Sequence, residues 1–392
     1  MRKSGESRQL PIIGVLVSRR TIANLNSQRT SNHMRLLRQA NEVVKARLFF
    51  FAVSSVNSSI DKVVGTYWDA KAMRWKQQSF PLPNVLYVRG GGDQRILDAL
   101  VNEVRKKGVV INYPPFDKWT VFQNLSRQDY MKDYLPETVL YRSEEDLKAM
   151  LAKYDEIYLK PSRGRKGRNV IRIRRDGKDF HLSFFVDWGP GRGLKQFNIS
   201  GLESVVKYIT SLYRGNLFLV QQAIDLVTYN EKLVDLRAEM VRNSAGQVEI
   251  IGVAARIGGY QSPITTHSMV TSLDYYLSAI CNYSRTEIHA VKEKIREFLI
   301  AAYRHIELLT GRYGEIGIDF GIDKQGKLWF IECNSQSAKV SLAKAYGTEA
   351  VYKSFLAVLS YGVYAHRQRQ RAKHIRHIAK ATDVKGSSVF LN

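Results

Sequence analysis

The sequence predicts an α/β chain in two unequal parts: an N-terminal layer of alternating strands and helices, then a larger region of strands and hairpins that closes with helices. Three observations predict it. Apolar runs of strand length alternate with stretches of helical spacing up to Ile111, the pattern of an open α/β layer. Asn112-Tyr113-Pro114-Pro115 then breaks the pattern. Beyond it come apolar strands and alternating segments, several of them joined by short glycine-bearing turns as hairpins are.

Taken in order, Ile12–Val17 reads as a strand, His33–Lys45 as a helix and Leu48–Val53 as a second strand. Val85–Val88 is a strand running into Arg89-Gly90-Gly91-Gly92, Ile96–Lys107 is helical, and Val109–Ile111 is a strand. These make a first domain, residues 1–115, of the α/β kind. A second domain spans residues 116–365, and residues 366–392 form a basic tail whose segment His366–Lys380 (HRQRQRAKHIRHIAK) is a helical extension. No internal repeat or low-complexity block occurs.

Composition narrows the classes open to the chain. At 392 residues with 44% apolar content, it can fill two or three cores. The longest strong apolar run, Leu48–Val53, suits a buried strand, and no run is long enough to span a membrane. Charges at the start with no apolar stretch after them give no secretory signal. Two cysteines, Cys281 and Cys333, make neither a disulfide framework nor a zinc cluster, so a reducing, intracellular setting is expected. The formal net charge is +24, with 19 Lys/Arg against 7 Asp/Glu in residues 1–115 and 7 against 1 in residues 366–392. Such a surface favours anionic partners, although for charge alone a solubility effect with no specific ligand is the better reading.

The segment from Ile316 to Asn334, IGIDFGIDKQGKLWFIECN, carries the strongest chemical signal. Residues 316–323 and 327–334 alternate, with Lys324-Gln325-Gly326 as the turn. Closing the hairpin symmetrically is expected to set Asp319 opposite Glu332, with Asn334 on the same face, while Ile318, Phe320, Ile331 and Cys333 point to the core. Three converging oxygen donors suit a hard cation such as Mg²⁺, completed by substrate phosphates. The plain alternative is a pair of solvated acids, which mutual repulsion disfavours.

Three upstream segments bear on the same chemistry. In Glu156–Ile173, a strand ends in Lys160-Pro161 and leads into a small basic loop with Gly164 and Gly167, able to fold closely over phosphates. It joins two strands and lacks the Walker A spacing, so a hairpin with a basic tip is the alternative. Leu217–Ile224 is an apolar strand with two glutamines near its end, Gln221 and Gln222, whose amides could read an adenine edge. In Val234–Arg256, Asp235, Arg237 and Glu239 share one strand face, and a turn at Ser244–Gln247 brings back a strand ending in Arg256. Guanidinium groups there suit phosphate or carboxylate, or else pair with Asp235 or Glu239 for structure alone.

A Lys-Pro glycine loop, a glutamine-ended strand, a D-x-R strand and a D…E-x-N hairpin, in that order, resemble the ATP-grasp ligase superfamily over about residues 112–345. The resemblance implies an N-terminal α/β pre-ATP-grasp domain followed by a two-lobed ATP-grasp fold. It further implies that Lys118 and Lys160 hold ATP phosphates beneath the loop of Ser162, Gly164 and Gly167, and that Gln221, Gln222, Ala223 and Ile224 line the adenine pocket. Arg237 and Arg256 would face the γ-phosphate and an acyl phosphate, and Asp319, Glu332 and Asn334 would hold Mg²⁺. Over nearly the whole length, PLPNVLYVR, INYPPFDKW, LPET, YLKPSRG and IGIDFGID…WFIECNSQ resemble the YheC/YheD family of endospore coat-associated ATP-grasp proteins. One departure stands out: where relatives show an Asn-containing segment followed by paired glycines, this chain has Ile264-Thr265-Thr266-His267-Ser268.

What the resemblance implies is ATP-dependent carboxylate–amine ligation through an acyl phosphate. Its substrates would be an unidentified carboxylate and amine, an acidic peptide or polymer among the candidates, with spore-coat proteins as partners and the mother-cell cytoplasm or the spore coat as location. The alternative is a non-catalytic coat or scaffold protein that keeps the fold. Asp319-Phe320-Gly321 spells a protein-kinase metal motif, but the catalytic loop and strand motifs of kinases are absent. Nucleic-acid binding has charge as its only support.

Overall fold

The computed structural model describes residues 10–57, 59–164, 167–186, 192–213, 215–265 and 269–386, with backbone alone for residues 309 and 376–386. Three six-stranded sheets organise it. The first holds β1 (Ile12–Leu16), β2 (Arg47–Phe51), β3 (Lys62–Asp69), β4 (Arg74–Pro81), β5 (Val85–Val88) and β6 (Val109–Ile111) in the order β4-β3-β2-β1-β5-β6. Pairs β1–β2, β1–β5 and β5–β6 are parallel, as alternating strands and helices require. Helices α1 (Arg19–Asn26), α2 (Asn32–Val44) and α3 (Gln94–Lys107) make the crossovers. The antiparallel β3–β4 hairpin and α1 lie outside the sequence pattern, because polar residues fill most of β4 and only Ile22 and Leu25 of α1 are buried.

The chain then crosses through α4 (Lys118–Ser126) and the single turn α5 (Asp129–Lys132) into the second sheet. That sheet orders β7 (Thr138–Leu140), β8 (Glu156–Pro161), β9 (Ile171–Asp176), β10 (Asp179–Val186), β11 (Gly193–Ser200) and β12 (Phe218–Gln222) as β11-β10-β9-β8-β12-β7. Helices α6 (Glu144–Lys153) and α7 (Leu202–Leu212) close its apolar face around Leu147, Leu159 and Ile209. The opposite face of the sheet is left to the cleft.

The third sheet is antiparallel: β13 (Thr228–Tyr229), β14 (Lys232–Arg242), β15 (Val248–Ile257), β16 (Met269–Ser272), β17 (Glu315–Ile322) and β18 (Leu328–Asn334), in the order β16-β15-β14-β17-β18 with β13 on β14. After the short turn α8 (Leu273–Tyr275), the long α9 (Arg285–Thr310) packs Phe298, Leu299 and Tyr303 against Leu236, Ile318 and Phe320, covering one face. Helix α10 (Val340–Gly386), broken at Gly347 (φ 76°), does more than close this unit. Its Phe355, Val358 and Leu359 share a core with Ile13, Leu37 and Tyr87 of the first sheet. The basic tail is therefore the continuation of a packed helix up to Gly386. No helix among the described residues is long and apolar enough to cross a membrane.

The hairpin of the third sheet pairs Asp319 with Glu332 as expected, but not by symmetric closure. From the turn outward, Ile322 faces Leu328 and Phe320 faces Phe330; the register then shifts, so that Ile331 is the extra residue of a β-bulge. Symmetric closure would have put Ile331 opposite Asp319. Ile331 accordingly does not enter the core: Phe330 does, and Ile331 lines the cleft beside Glu332.

Candidate functional site

Side chains alternate across a strand, so the register of the third sheet fixes which groups share its open face. Three rows result. One runs Val270, Arg256, Asp235; the next Ala254, Arg237, Asp319, Glu332; the third Gly252, Glu239, Gly317, Asn334. Both arginines and all three expected metal ligands thus lie on one surface. Glycine at 317 leaves room for the guanidinium, since a Cβ would stand 2.6 Å from Nη1 of Arg237.

This face and the open face of the second sheet bound a cavity of about 580 Å³, a size ordinary for a small-molecule site. Of the residues named from sequence, all but Lys118, Ser162 and Ala223 line it. Lys118 opens α4 after the N-cap Asp117, and its Nζ sits 3.6 Å from Glu332 Oε2 and donates to the Gly164 carbonyl at 3.1 Å. Ser162 turns away and donates to Asp117 Oδ2 at 2.7 Å, fixing loop to helix rather than facing a ligand. Gly167 (φ +66°) supplies the backbone bend; Arg165 and Lys166, between the glycines, lie outside the described residues.

The glutamines divide their labour. Gln221 accepts from Lys160 Nζ at 2.6 Å and donates to Thr138 at 2.8 Å, so it aims the lysine. Gln222 accepts from the Glu137 N–H at 3.1 Å, a structural bond. Ala223 N–H donates to Glu156, while its carbonyl and the Ile224 N–H have no hydrogen-bond partner among the described residues. That leaves an acceptor and a donor at the strand end.

Electrostatics in the cleft are set by crowding. Arg237 forks onto both carboxylate oxygens of Asp319, its Nη2 donating to Oδ2 at 3.0 Å, and Arg256 forks onto Asp235 while its Nη2 stands 3.3 Å from Asp319. Burial pushes the Asp319 carboxyl up to about 6 against the pull of the two arginines, with Glu332 and Asp235 adding repulsion. Burial would also raise Glu332, but Lys118, Lys160 and Arg237 hold it below the usual carboxylate value. Asn334 Nδ2 lies 3.4 Å from Glu332 Oε1. No group of three or more His, Cys, Asp or Glu side chains able to hold a metal occurs among the described residues, so a cation here would take two carboxylates and an amide. That all-oxygen set fits Mg²⁺ completed by phosphates, with Asp319 sharing its oxygens with Arg237.

Sequence patterns did not show what the groups behind these would contact. Thr265 donates to Asp235 at 2.7 Å; Thr266, His267 and Ser268 lie outside the described residues. At the far end, fully buried Lys339 meets Glu315 at 2.6 Å, and Arg89 donates to Glu315 at 3.1 Å and to the Ser337 carbonyl at 3.1 Å. An isolated Lys or Glu in a strand or loop carries no signal of burial until its partner is known.

A glycine loop from one sheet closing over a cationic and carboxylate face of another is the arrangement of the ATP-grasp fold. A family model described as YheC/D-like ATP-grasp matches residues 107–364, and the chain belongs to that family. It is 26% identical over 298 residues to the endospore coat-associated protein YheD of Bacillus subtilis (strain 168), covering 74% of this chain and 64% of that protein. To the endospore coat-associated protein YheC of the same organism it is 22% identical over 312 residues, 76% of this chain and 82% of that protein. Among solved structures, the ATP-grasp ligase PsnB complexed with a phosphomimetic variant of its minimal precursor, Mg and ADP superposes with a TM-score of 0.51 at 11% identity, over 88% of this chain and 98% of that one.

Proposed function

We propose that the protein binds Mg-ATP and acts as a carboxylate–amine ligase through an acyl phosphate. What supports this is one observation: four cations, Lys118, Lys160, Arg237 and Arg256, surround Asp319, Glu332 and Asn334 at a cavity shared by two sheets. The Ala223 carbonyl and Ile224 N–H would take the adenine edge, and Lys118 and Lys160 the phosphates. Asp319, Glu332 and Asn334 would hold Mg²⁺, which when bound supplies positive charge to the phosphate oxygens. Arg237 and Arg256 would face the terminal phosphate. A substrate carboxylate oxygen bonds to the γ-phosphorus as the bond to ADP breaks. An amine nitrogen then bonds to the acyl carbon, phosphate leaves and the amine loses a proton. Negative charge crowds in both steps, so fixed cations are the main catalytic need.

A second reading is a nucleotide-binding coat or scaffold protein without turnover. The engagement of both Asp319 oxygens by Arg237 favours it. Association with the endospore coat, the term in the names of YheD and YheC, is proposed for this chain under either reading, after synthesis in the mother-cell cytoplasm.

Calorimetric titration with AMPPNP, with and without Mg²⁺, tests the site. Glu332→Gln is expected to weaken Mg-AMPPNP about tenfold or more, the scale of one lost ionic ligand. Unchanged affinity would sink the assignment. A screen of carboxylates and amines for amine-dependent phosphate release separates ligase from scaffold.

A further inference from the structure

Between β15 and β16, the described segment 258–265 touches both walls of the cleft. Thr265, 8% exposed, donates from Oγ1 to Asp235 Oδ2 at 2.7 Å. The same carboxylate receives Arg256 Nε at 2.7 Å on Oδ1 and Arg256 Nη2 on Oδ2. One residue earlier, Ile264 closes on the phosphate loop: a Cβ added at Gly167 would stand 2.9 Å from Ile264 Cδ1. Ser262 ties these two contacts together. Its Oγ donates to the Ile264 carbonyl at 2.8 Å and accepts the Ile264 N–H at 3.3 Å. Across the cleft, Gln196 of β11 donates to Gln261 at 3.3 Å.

We infer that this segment couples seating of the glycine loop to the aim of Arg256. Thr265 is a positioning residue: its hydroxyl fixes the rotamer of Asp235, and Asp235 orients the guanidinium by a two-point fork. Ile264 backs Gly167, so the seat of Gly167 beside bound phosphates and the aim of the arginine toward the terminal phosphate are set by one short turn. The inference rests on the proposed placement of phosphates beside Gly164 and Gly167 and before Arg256. It adds that discrimination of the γ-phosphate by Arg256 depends on the Thr265 hydroxyl, acting through Asp235.

The two contacts predict different losses. Dissociation constants of Mg-AMPPNP and Mg-ADP are measured by calorimetry on the full chain and its variants. Thr265→Val removes the hydroxyl at constant shape, and is expected to lower the preference for AMPPNP over ADP about tenfold, the scale of one charge-assisted hydrogen bond. Thr265→Ser restores the hydroxyl and the preference. A merely structural role would weaken both nucleotides together and leave the ratio alone. An unchanged ratio in Thr265→Val, or an equal loss in Thr265→Ser, overturns the assignment. Ile264→Ala, which keeps the hydroxyl bond, is expected to weaken both nucleotides in parallel; no weakening would refute the coupling even if the valine variant fails to fold. A wild-type protein that binds neither nucleotide would refute the nucleotide reading itself.

Discussion

Lys160 leaves the end of β8 with its ammonium 2.6 Å from the Gln221 amide oxygen. Burial pulls its pKa down to about 8 from an ordinary 10.5; Glu332 raises it again and Lys118 lowers it. A lysine with a depressed folded pKa binds fewer protons than the unfolded chain between about 8 and 10.5, so stability rises with pH across that window. Below it, the charged lysine is held at a cost that a bound phosphate would offset. Mg-AMPPNP affinity is therefore expected to be flat up to neutral pH and to fall as pH rises through about 8, with proton uptake on binding near that value. Lys160→Met should remove the pH dependence, read by calorimetry in buffers of differing ionisation heat. Affinity that does not change between neutral pH and pH 9.5 would show that Lys160 carries no phosphate. At this scale the sequence was informative where a residue stands in a motif, as Lys160 does after its strand; it flagged the Thr265 segment as unusual without showing its contact, and was silent for Lys339, because their partners lie 30 and 24 positions away, Asp235 and Glu315.

At the scale of elements, the hairpin β17–β18 was legible because its turn and its alternation are local. The bulge was not. Ile331 is apolar and β-branched, and an alternating pattern assigns such a residue to the core; only pairing with β17 reveals that two residues oppose Asp319 there. The bulge sets an apolar side chain beside Glu332 in the cleft without giving up the pairing of the acids. Packing across the sheet is equally tight at Gly317. A Cβ at that position would meet the far end of the Arg237 side chain, a group that can shift, and Ser337 Cβ at a comfortable 3.5 Å. Gly317→Ala should thus keep the fold, with a melting temperature close to wild type, while displacing Arg237 from Asp319 and weakening Mg-AMPPNP several-fold, roughly the cost of one disturbed ionic contact. A large loss of stability with unchanged binding would contradict this account of the glycine.

Over the whole molecule, three links among the described residues hold the first sheet to the cleft. Helix α10 carries Phe355, Val358 and Leu359 into the core of Ile13 and Leu37. Next to it, Glu315 receives Lys339 at 2.6 Å, Arg89 at 3.1 Å and the Tyr87 hydroxyl at 2.8 Å, with both Glu315 and Lys339 fully buried. The guanidinium of Arg89 also lies 4.9 Å over the Phe355 ring. Removing one member of such a network strands the others without water. Glu315→Leu is expected to cost about 3–5 kcal/mol, measured by urea unfolding, because it leaves Arg89 and Lys339 without their shared carboxylate. A loss below about 1 kcal/mol would mean that apolar packing of α10 alone joins the units. Asn112 is a third link: its Oδ1 accepts from Gly314 and Glu315 N–H at 3.1 and 3.2 Å, so the segment read as a break is also a buried joint. By itself the sequence determined the alternation of strands and helices, the hairpin that carries Asp319 and Glu332, and the order of motifs that places the chain among ATP-grasp proteins, since each is written in local spacing. Tertiary structure alone decided the register that gathers both arginines onto one face, the outward turn of Ile331, the burial of Lys339 and the return of α10 to the first sheet. These depend on which strands become neighbours, and spacing along one strand says nothing of its neighbour.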